Sequence, residues 1–136
     1  MDILTVSHLT KIYGEGEAAT RALDDVSFSV EEGEFVAIVG SSGSGKSTLL
    51  HLMGGVDRPT SGTVLLNGAD VYARSDEELA VFRRREVGLV YQFYNLVPVL
   101  NVVENMTLPV ALDGRAVNAG HLQGLVQRLG LAGREG

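Results

Sequence analysis

The sequence predicts an α/β domain with an added antiparallel β layer. Three observations lead to this fold class. Segments near the N-terminus alternate apolar and polar residues, as half-buried antiparallel strands do. A continuous apolar stretch over 34–39 is typical of a strand buried on both faces, and a glycine-rich loop with a helical pattern behind it follows directly. Helical patterns then occupy most of the remaining chain, with one more strand-like apolar stretch over 87–91.

The antiparallel layer is predicted from four short segments. Residues 3–9 are rich in β-branched residues and indicate a first strand, and residues 22–30 place their apolar side chains on one face of a second. The polar, glycine-containing segment 14–20 between them suits a hairpin loop. Residues 63–66 and 69–71 then predict two short strands around a tight Asn-Gly turn.

The helices are predicted from their capping residues. One helix begins directly after the glycine-rich loop. Ser75 and Glu78 form a capping box that opens a second, and Asn101 caps a third, which Pro109 is expected to end. A stripe of apolar residues at i, i+3, i+4 and i+7 predicts a last helix that ends at Gly130.

The glycine-rich loop fits the phosphate-binding pattern G-x-x-x-x-G-K-[ST], and its strand and helix flanks are the context that such a loop requires. The alternative, a flexible Gly/Ser connector, does not account for those flanks. The residues of this loop are Gly40, Ser41, Ser42, Gly43, Ser44, Gly45, Lys46, Ser47 and Thr48.

These residue types match the chemistry of a nucleoside triphosphate. Glycines let the backbone approach the phosphates, so that successive N–H groups and the start of the following helix form an anion site. The ammonium of Lys46 is expected to reach the β- and γ-phosphates, and the Ser47 hydroxyl is expected to bind Mg²⁺. Thr48 offers a further hydroxyl donor to the α-phosphate.

Composition narrows the remaining function classes. The chain has 136 residues and a net charge of −6, which argues against a general nucleic-acid binder. It contains no cysteine, so disulfides and thiolate metal sites are excluded. No apolar run approaches the ~20 residues of a membrane-spanning helix, and the N-terminus does not resemble a signal peptide. A soluble, cytoplasmic protein is the expectation.

Several motifs in one order resemble the ATP-binding subunit of ABC transporters, and most closely its branch of macrolide-exporter and lipoprotein-releasing ATPases. The resemblance covers residues 2 to about 112 and is more specific than the phosphate-binding loop alone. The segments that carry it are 9–14, 22–27, 40–48, 54–62, 82–85 and 90–96, followed by Pro98 and Glu104-Asn105.

The resemblance implies three further roles. Tyr13 matches the aromatic residue whose ring stacks on adenine. Gln92 matches the glutamine that meets Mg²⁺ or the attacking water and reports the γ-phosphate to the membrane partner. The segment 93–100 resembles the surface that faces the transmembrane subunit. Lys46 and Gln92 are thus the implied catalytic residues, and Ser47 and Gln92 the implied Mg²⁺ ligands.

Four family features do not occur in this sequence: the LSGGQ signature, a Walker B strand that ends in Asp, the catalytic Glu behind it and a switch histidine. The run 108–113 is apolar and ends in an acid, but Pro109 cannot donate within a central strand and Gly114 follows the acid. Residues 1–136 are therefore expected to be the N-terminal portion of a single ATP-binding domain, without its C-terminal half.

The function implied is binding of Mg-ATP to power export or lipoprotein release. The implied partners are a transmembrane permease and a second ATP-binding subunit, with no nucleic acid, and the membrane is reached only through the permease at the cytoplasmic face of the inner membrane. The isolated chain is expected to bind ATP but to hydrolyse it poorly. The alternative is a non-catalytic regulatory module that pairs with intact ATPase subunits. A small P-loop kinase or GTPase is disfavoured by Tyr13 and by the lack of an NKxD motif.

Overall fold

A computed structural model describes residues 1–136 and divides them into two compact units, Met1–Gly88 and Leu89–Gly136. The first unit contains four strands and two helices, and the second contains two helices. The strands are β1 (Asp2–Tyr13), β2 (Thr20–Glu31), β3 (Ser61–Leu66) and β4 (Ala69–Asp70). The helices are α1 (Lys46–Met53), α2 (Asp76–Arg85), α3 (Val102–Leu112) and α4 (Ala119–Arg128).

The predicted antiparallel layer is confirmed as one four-stranded sheet with the order β2-β1-β3-β4. Strand β1 lies in the middle, where Val6 is paired with Phe28 of β2 on one side and with Val64 of β3 on the other. The hairpin between β1 and β2 contains a short 3₁₀ helix, Gly16–Ala18. Because all the neighbouring strands are antiparallel, one face of the sheet can be buried while the other meets solvent.

The core of the first unit forms where the sheet meets α1 and α2. Apolar residues of β1, β2 and β3 contribute to this core, and an irregularity in the register of β1 between Val6 and Leu9 allows both to be buried. Each of the two helices contributes apolar residues from one face. The cluster consists of Val6, Leu9, Leu23, Leu49, Leu52, Val64, Val71, Leu79 and Phe82. Helix α1, which begins at the glycine-rich loop, is therefore held by packing and not by helix propensity alone.

Two predicted strands, 34–39 and 87–91, are wrong. Neither stretch forms a strand, and several of their side chains are exposed: Phe35 is 98% exposed and Val90 is 101% exposed. A strand exists only where a neighbour supplies hydrogen-bond partners for its backbone. The sheet consists of β1 to β4 alone, so neither stretch has such a neighbour.

The predicted helix caps are confirmed. Ser75 accepts a hydrogen bond from the Glu78 N–H and Glu78 reciprocates, which starts α2 as a capping box. Asn101 and Glu104 form a second capping box that starts α3. In the first of these boxes, the hydrogen bond from the Ser75 N–H, followed by the interaction with the Ser75 side chain, lowers the pKa of the Glu78 carboxyl.

The end predicted for α3 is wrong, because the helix continues through Pro109 to Leu112. Proline lacks an N–H but its φ suits a helix, so the cost is one missing hydrogen bond in the last turns. The Pro109 side chain is exposed, and its carbonyl accepts a hydrogen bond from the Asp113 N–H. Residues 108–112 are thus helical and Asp113 is the C-cap, so this run does not form a Walker B strand.

Candidate nucleotide-binding site

The glycine-rich loop leads into α1 through Gly45, which caps the helix with a φ of 95°. A Cβ atom at Gly45 would lie 2.4 Å from the carbonyl oxygen of Ala22 in β2. Glycine is therefore required here both by the left-handed backbone and by the close approach of β2. Within the loop, the Ser44 N–H donates to the Ser41 carbonyl at 3.1 Å.

Lys46 turns back over the loop that precedes it. Its Nζ donates to the carbonyl oxygens of Gly40 at 2.5 Å and Ser41 at 2.8 Å, and lies 3.4 Å from Ser44 Oγ. The ammonium therefore lies at the loop, among neutral acceptors. A phosphate oxygen that carries charge is a stronger acceptor than a carbonyl, so the arrangement can exchange one for the other.

Ser47 and Thr48 occupy the first turn of α1, whose N–H groups have no acceptors within the helix. The Ser47 side chain is exposed, whereas Thr48 is half-buried. The positive end of the helix dipole adds to the positive charge of Lys46 at this point. This end of α1 thus combines a hydroxyl, backbone donors and a cation, which suits a polyphosphate with a bound Mg²⁺.

Tyr13, at the end of β1, lies beside this first turn. Its hydroxyl donates to Asp57 Oδ2 at 2.9 Å, and the Thr48 side chain is near enough to influence the pKa of Tyr13 by lowering it. Partial burial and the hydrogen bond to the Asp57 carboxylate raise the pKa of Tyr13. The structure therefore brings together two residues that the sequence analysis assigned to one nucleotide, Tyr13 and Thr48.

Asp57 is a residue of this site to which the sequence analysis assigned no role. It follows α1 in a connection with Gly and Pro, and besides the Tyr13 hydroxyl it accepts hydrogen bonds from Lys11 Nζ at 3.2 Å and from the Arg58 N–H at 2.9 Å. Partial burial opposes its ionisation, but these hydrogen bonds prevail and lower the pKa of the Asp57 carboxyl. No motif spacing links Asp57 to Tyr13, because only the fold brings the two together.

Gln92 belongs to the second unit, where it is exposed and lies in a bend and not at a strand end. The segment 93–100 behind it carries exposed apolar side chains, among them Phe93, Tyr94 and Val99. Part of this segment and α3 line an open apolar groove of about 530 Å³. Asn105 of α3 holds the segment in place through hydrogen bonds to both the N–H and the carbonyl of Val97.

The structure does not gather three or more His, Asp or Glu side chains at any point that could hold a metal ion. Any Mg²⁺ at the loop would therefore need oxygen atoms of the phosphates to complete its coordination, as is usual for this ion.

None of the helices is long and apolar enough to cross a bilayer.

Comparison with known protein families identifies the class of protein. A model of the ABC transporter family matches residues 23–135, a range that contains the whole glycine-rich loop, α1 and Gln92. The chain therefore belongs to the ABC transporter family and carries the fold of its ATP-binding domain.

The curated proteins that are similar to this chain are ATP-binding proteins of ABC transporters. The lipoprotein-releasing system ATP-binding protein LolD of Shewanella frigidimarina is 46% identical over 134 residues, which are 97% of this chain and 56% of that protein. An uncharacterised ABC transporter ATP-binding protein of Mycobacterium tuberculosis is 42% identical over 98% of this chain and 54% of its own length. The chain thus spans about half the length of the curated relatives it matches, as the missing motifs predicted.

Solved structures agree with the fold. A dimeric structure of MJ0796, a bacterial ABC transporter cassette, is similar with a TM-score of 0.82 and 37% identity, over 92% of this chain and 54% of that one. MJ0796 in a dimeric post-hydrolysis state bound to ADP and Pi is similar with a TM-score of 0.79 and 40% identity, over 87% of this chain and 51% of that one.

Proposed function

We propose that residues 1–136 form the N-terminal portion of a single ATP-binding domain and bind Mg-ATP through the loop Gly40–Thr48. The intact protein would use ATP to drive export or lipoprotein release through a transmembrane permease. The chain by itself binds ATP with little turnover, because no segment of it provides an acid behind a buried strand in the manner of Walker B.

The position of Lys46 is the observation that carries this proposal. Its ammonium contacts two loop carbonyls at 2.5 and 2.8 Å, beside the first turn of α1. Phosphate oxygens would replace these neutral carbonyl acceptors with charged, stronger ones. Because the ammonium already lies at the loop, it needs little rearrangement before the phosphates bind. In a chain with a net charge of −6, a localised cation at a helix start favours an anion at this place over the rest of the surface.

The other assigned residues complete the proposal. Tyr13 would stack on adenine, Ser47 and Gln92 would bind Mg²⁺, and Thr48 would donate to the α-phosphate. Ser47 is exposed at the start of α1, which leaves its hydroxyl accessible to an ion that the phosphates also bind. Mg²⁺ supplies charge neutralisation on the phosphates when it is bound.

The proposed partner surface is the segment 93–100. Its exposed aromatic and aliphatic side chains, with the apolar groove of about 530 Å³ beside them, suit an apolar element of a permease. A second ATP-binding subunit is the other proposed partner, since the two similar MJ0796 structures are dimers.

Equilibrium binding of a fluorescent ATP analogue with Mg²⁺ tests the proposal. The chain has no tryptophan, so the signal comes from the analogue. Because Lys46 makes charge-assisted contacts, Lys46→Ala should weaken binding about tenfold or more. Arg134→Ala is the matched control, because it also removes one positive charge but lies outside the loop, and it should leave the affinity nearly unchanged.

Two results would contradict the proposal. Equal affinities of the unsubstituted chain and Lys46→Ala would show that the loop is not the site. Phosphate release clearly above that of Lys46→Ala would overturn the expectation of little turnover. Competition with GTP separates the proposal from a guanine-specific protein, in which GTP would displace the analogue at lower concentration than ATP.

A further inference from the structure

The carboxylate of Asp57 joins parts of the first unit that are far apart in the sequence. Oδ2 accepts a hydrogen bond from the Tyr13 hydroxyl at 2.9 Å, and Oδ1 accepts from Lys11 Nζ at 3.2 Å and from the Arg58 N–H at 2.9 Å. Lys11 Nζ also donates to the Arg58 carbonyl at 2.6 Å. The connection behind α1 is thereby tied to the end of β1, where Tyr13 lies.

Lys11 covers one face of the Tyr13 ring. Its ammonium lies 5.0 Å from the ring centroid, and its side chain is only 14% exposed. Tyr13 itself is 43% exposed, so much of the ring remains open. A ring with a cation against one face and a fixed hydroxyl has one face left for a flat ligand.

From this geometry we infer that Asp57, together with Lys11, is a positioning residue that holds the Tyr13 ring in place for the nucleotide base. The inference rests on the proposed function, since it assumes that the base stacks on Tyr13. Asp57 itself contacts no part of the nucleotide in this proposal, because its oxygens are taken up by Tyr13, Lys11 and Arg58.

The physical reason is that the ring is ordered before the ligand arrives. A partly exposed tyrosine at the end of a strand would otherwise lose side-chain freedom on stacking, and that loss weakens binding. Lowering of the pKa of Asp57 keeps its carboxylate ionised, and raising of the pKa of Tyr13 keeps its hydroxyl a donor. The contact therefore persists throughout the neutral pH range.

The test compares two ligands, Mg-ATP and Mg-tripolyphosphate, by calorimetric titration of the full 136-residue chain. Only ATP has a base. Asp57→Ala should weaken ATP binding about three- to tenfold and leave tripolyphosphate binding unchanged. Asp76→Ala is the matched control: it also removes one negative charge and releases Arg58, whose Nη2 lies 3.0 Å from Asp76 Oδ1. It should change neither affinity.

Tyr13→Phe provides a second, more conservative variant. It keeps the ring and removes only the O–H that Asp57 accepts, so it should lower the ATP-to-tripolyphosphate affinity ratio by a similar factor. The double variant of Asp57→Ala and Tyr13→Phe should then be little worse than either single one. If Asp57 instead only stabilised the fold, Asp57→Ala should weaken the binding of both ATP and tripolyphosphate. It should do so whether residue 13 carries the hydroxyl or, as in Tyr13→Phe, lacks it.

The outcomes are distinguishable. An unchanged affinity ratio in Asp57→Ala and in Tyr13→Phe, with Lys46-dependent ATP binding intact, would overturn this inference and leave the proposed function standing. ATP binding that does not depend on Lys46 would overturn both. If Asp57→Ala does not fold by circular dichroism, the ratio in Tyr13→Phe decides alone.

Discussion

The two sides of the glycine-rich loop differ sharply, although both are apolar. Helix α1, after the loop, is packed into the core, with Leu52 0% exposed. The stretch 34–39, before the loop, forms no strand, and Val39 is 87% exposed. A helix satisfies its backbone hydrogen bonds within itself, whereas a strand needs a neighbour to do so. The backbone of α1 therefore satisfies its hydrogen bonds locally once the helix is packed, whereas the stretch 34–39 lacks the partner strand that it would need.

This difference bears on nucleotide binding. The groups on the α1 side, Lys46, Ser47 and Thr48, are held by a helix whose buried face is anchored in the sheet. Gly40, on the other side, follows a stretch without a hydrogen-bond ladder. We therefore expect the α1 side to supply most of the affinity of this chain for phosphate.

The largest expected effect is a loss of stability when an apolar side chain of α1 is shortened, compared with the same change in the stretch 34–39. Leu52→Ala removes a fully buried side chain of α1 and should lower the free energy of unfolding by about 2–4 kcal/mol. Phe35→Ala, on the other side, should change it by less than about 0.5 kcal/mol, because the ring is exposed. Urea denaturation followed by circular dichroism measures both. Equal losses would show that 34–39 is packed in solution and would remove the contrast.

A smaller effect is expected from two glycines of the loop itself. Gly45→Ala introduces a Cβ 2.4 Å from the Ala22 carbonyl at a φ of 95°, and should cost about 2 kcal/mol of stability. Gly43→Ala is the matched control, because its φ is 79° but no atom lies within 4 Å of the added Cβ. It should cost about 1 kcal/mol, the penalty of a Cβ in the left-handed conformation alone. If the control were the more damaging variant, close packing of the loop against β2 could not be the cause.

The smallest effect concerns the polar contact that ties the α1 side to β1. Because hydrogen bonds from Tyr13 and Lys11 hold the pKa of Asp57 below its ordinary 3.8, its contribution to stability is present at neutral pH. This contribution should be lost as the pH falls below 3.8 and then through the lower pKa that the Asp57 carboxyl has in the folded state. The difference in unfolding free energy between the chain and Asp57→Asn should therefore shrink on acidification.

Urea titrations at several values between about pH 7 and about pH 3 measure that difference. Glu34→Gln, also a change from carboxylate to amide but on the other side of the loop, serves as the control. A difference for Asp57→Asn that grows as the pH falls would contradict the assigned direction of the pKa shift.

Sequence patterns predicted the elements that depend on local contacts. The capping box of α2 and the Asn101 cap of α3 were correct because a cap is formed by residues three positions apart. The alternation in β2 and the Asn-Gly turn between β3 and β4 were correct for similar reasons. The stretches 34–39 and 87–91 were wrong because an apolar pattern reports burial and strand propensity but not whether a partner strand is present.

For the candidate site, too, the sequence identified some residues and missed others. The loop and Tyr13 were identified from motif and resemblance, since each residue type has a chemical reason to be at its position. Asp57 was missed, because its contacts with Tyr13 and Lys11 join residues more than forty positions apart. Gln92 was placed by resemblance alone, and its role remains a prediction.

The sequence alone determined the family of this protein, its phosphate-binding loop and the helix that follows, because those depend on residue types at short, set spacings. Only the tertiary structure decided the strand order β2-β1-β3-β4, the exposure of the stretch before the loop and the contact of Asp57 with Tyr13. The physical reason is the range of the interactions: caps and turns form between neighbours in sequence, whereas strand pairing and the Asp57 contact require the chain to fold back on itself.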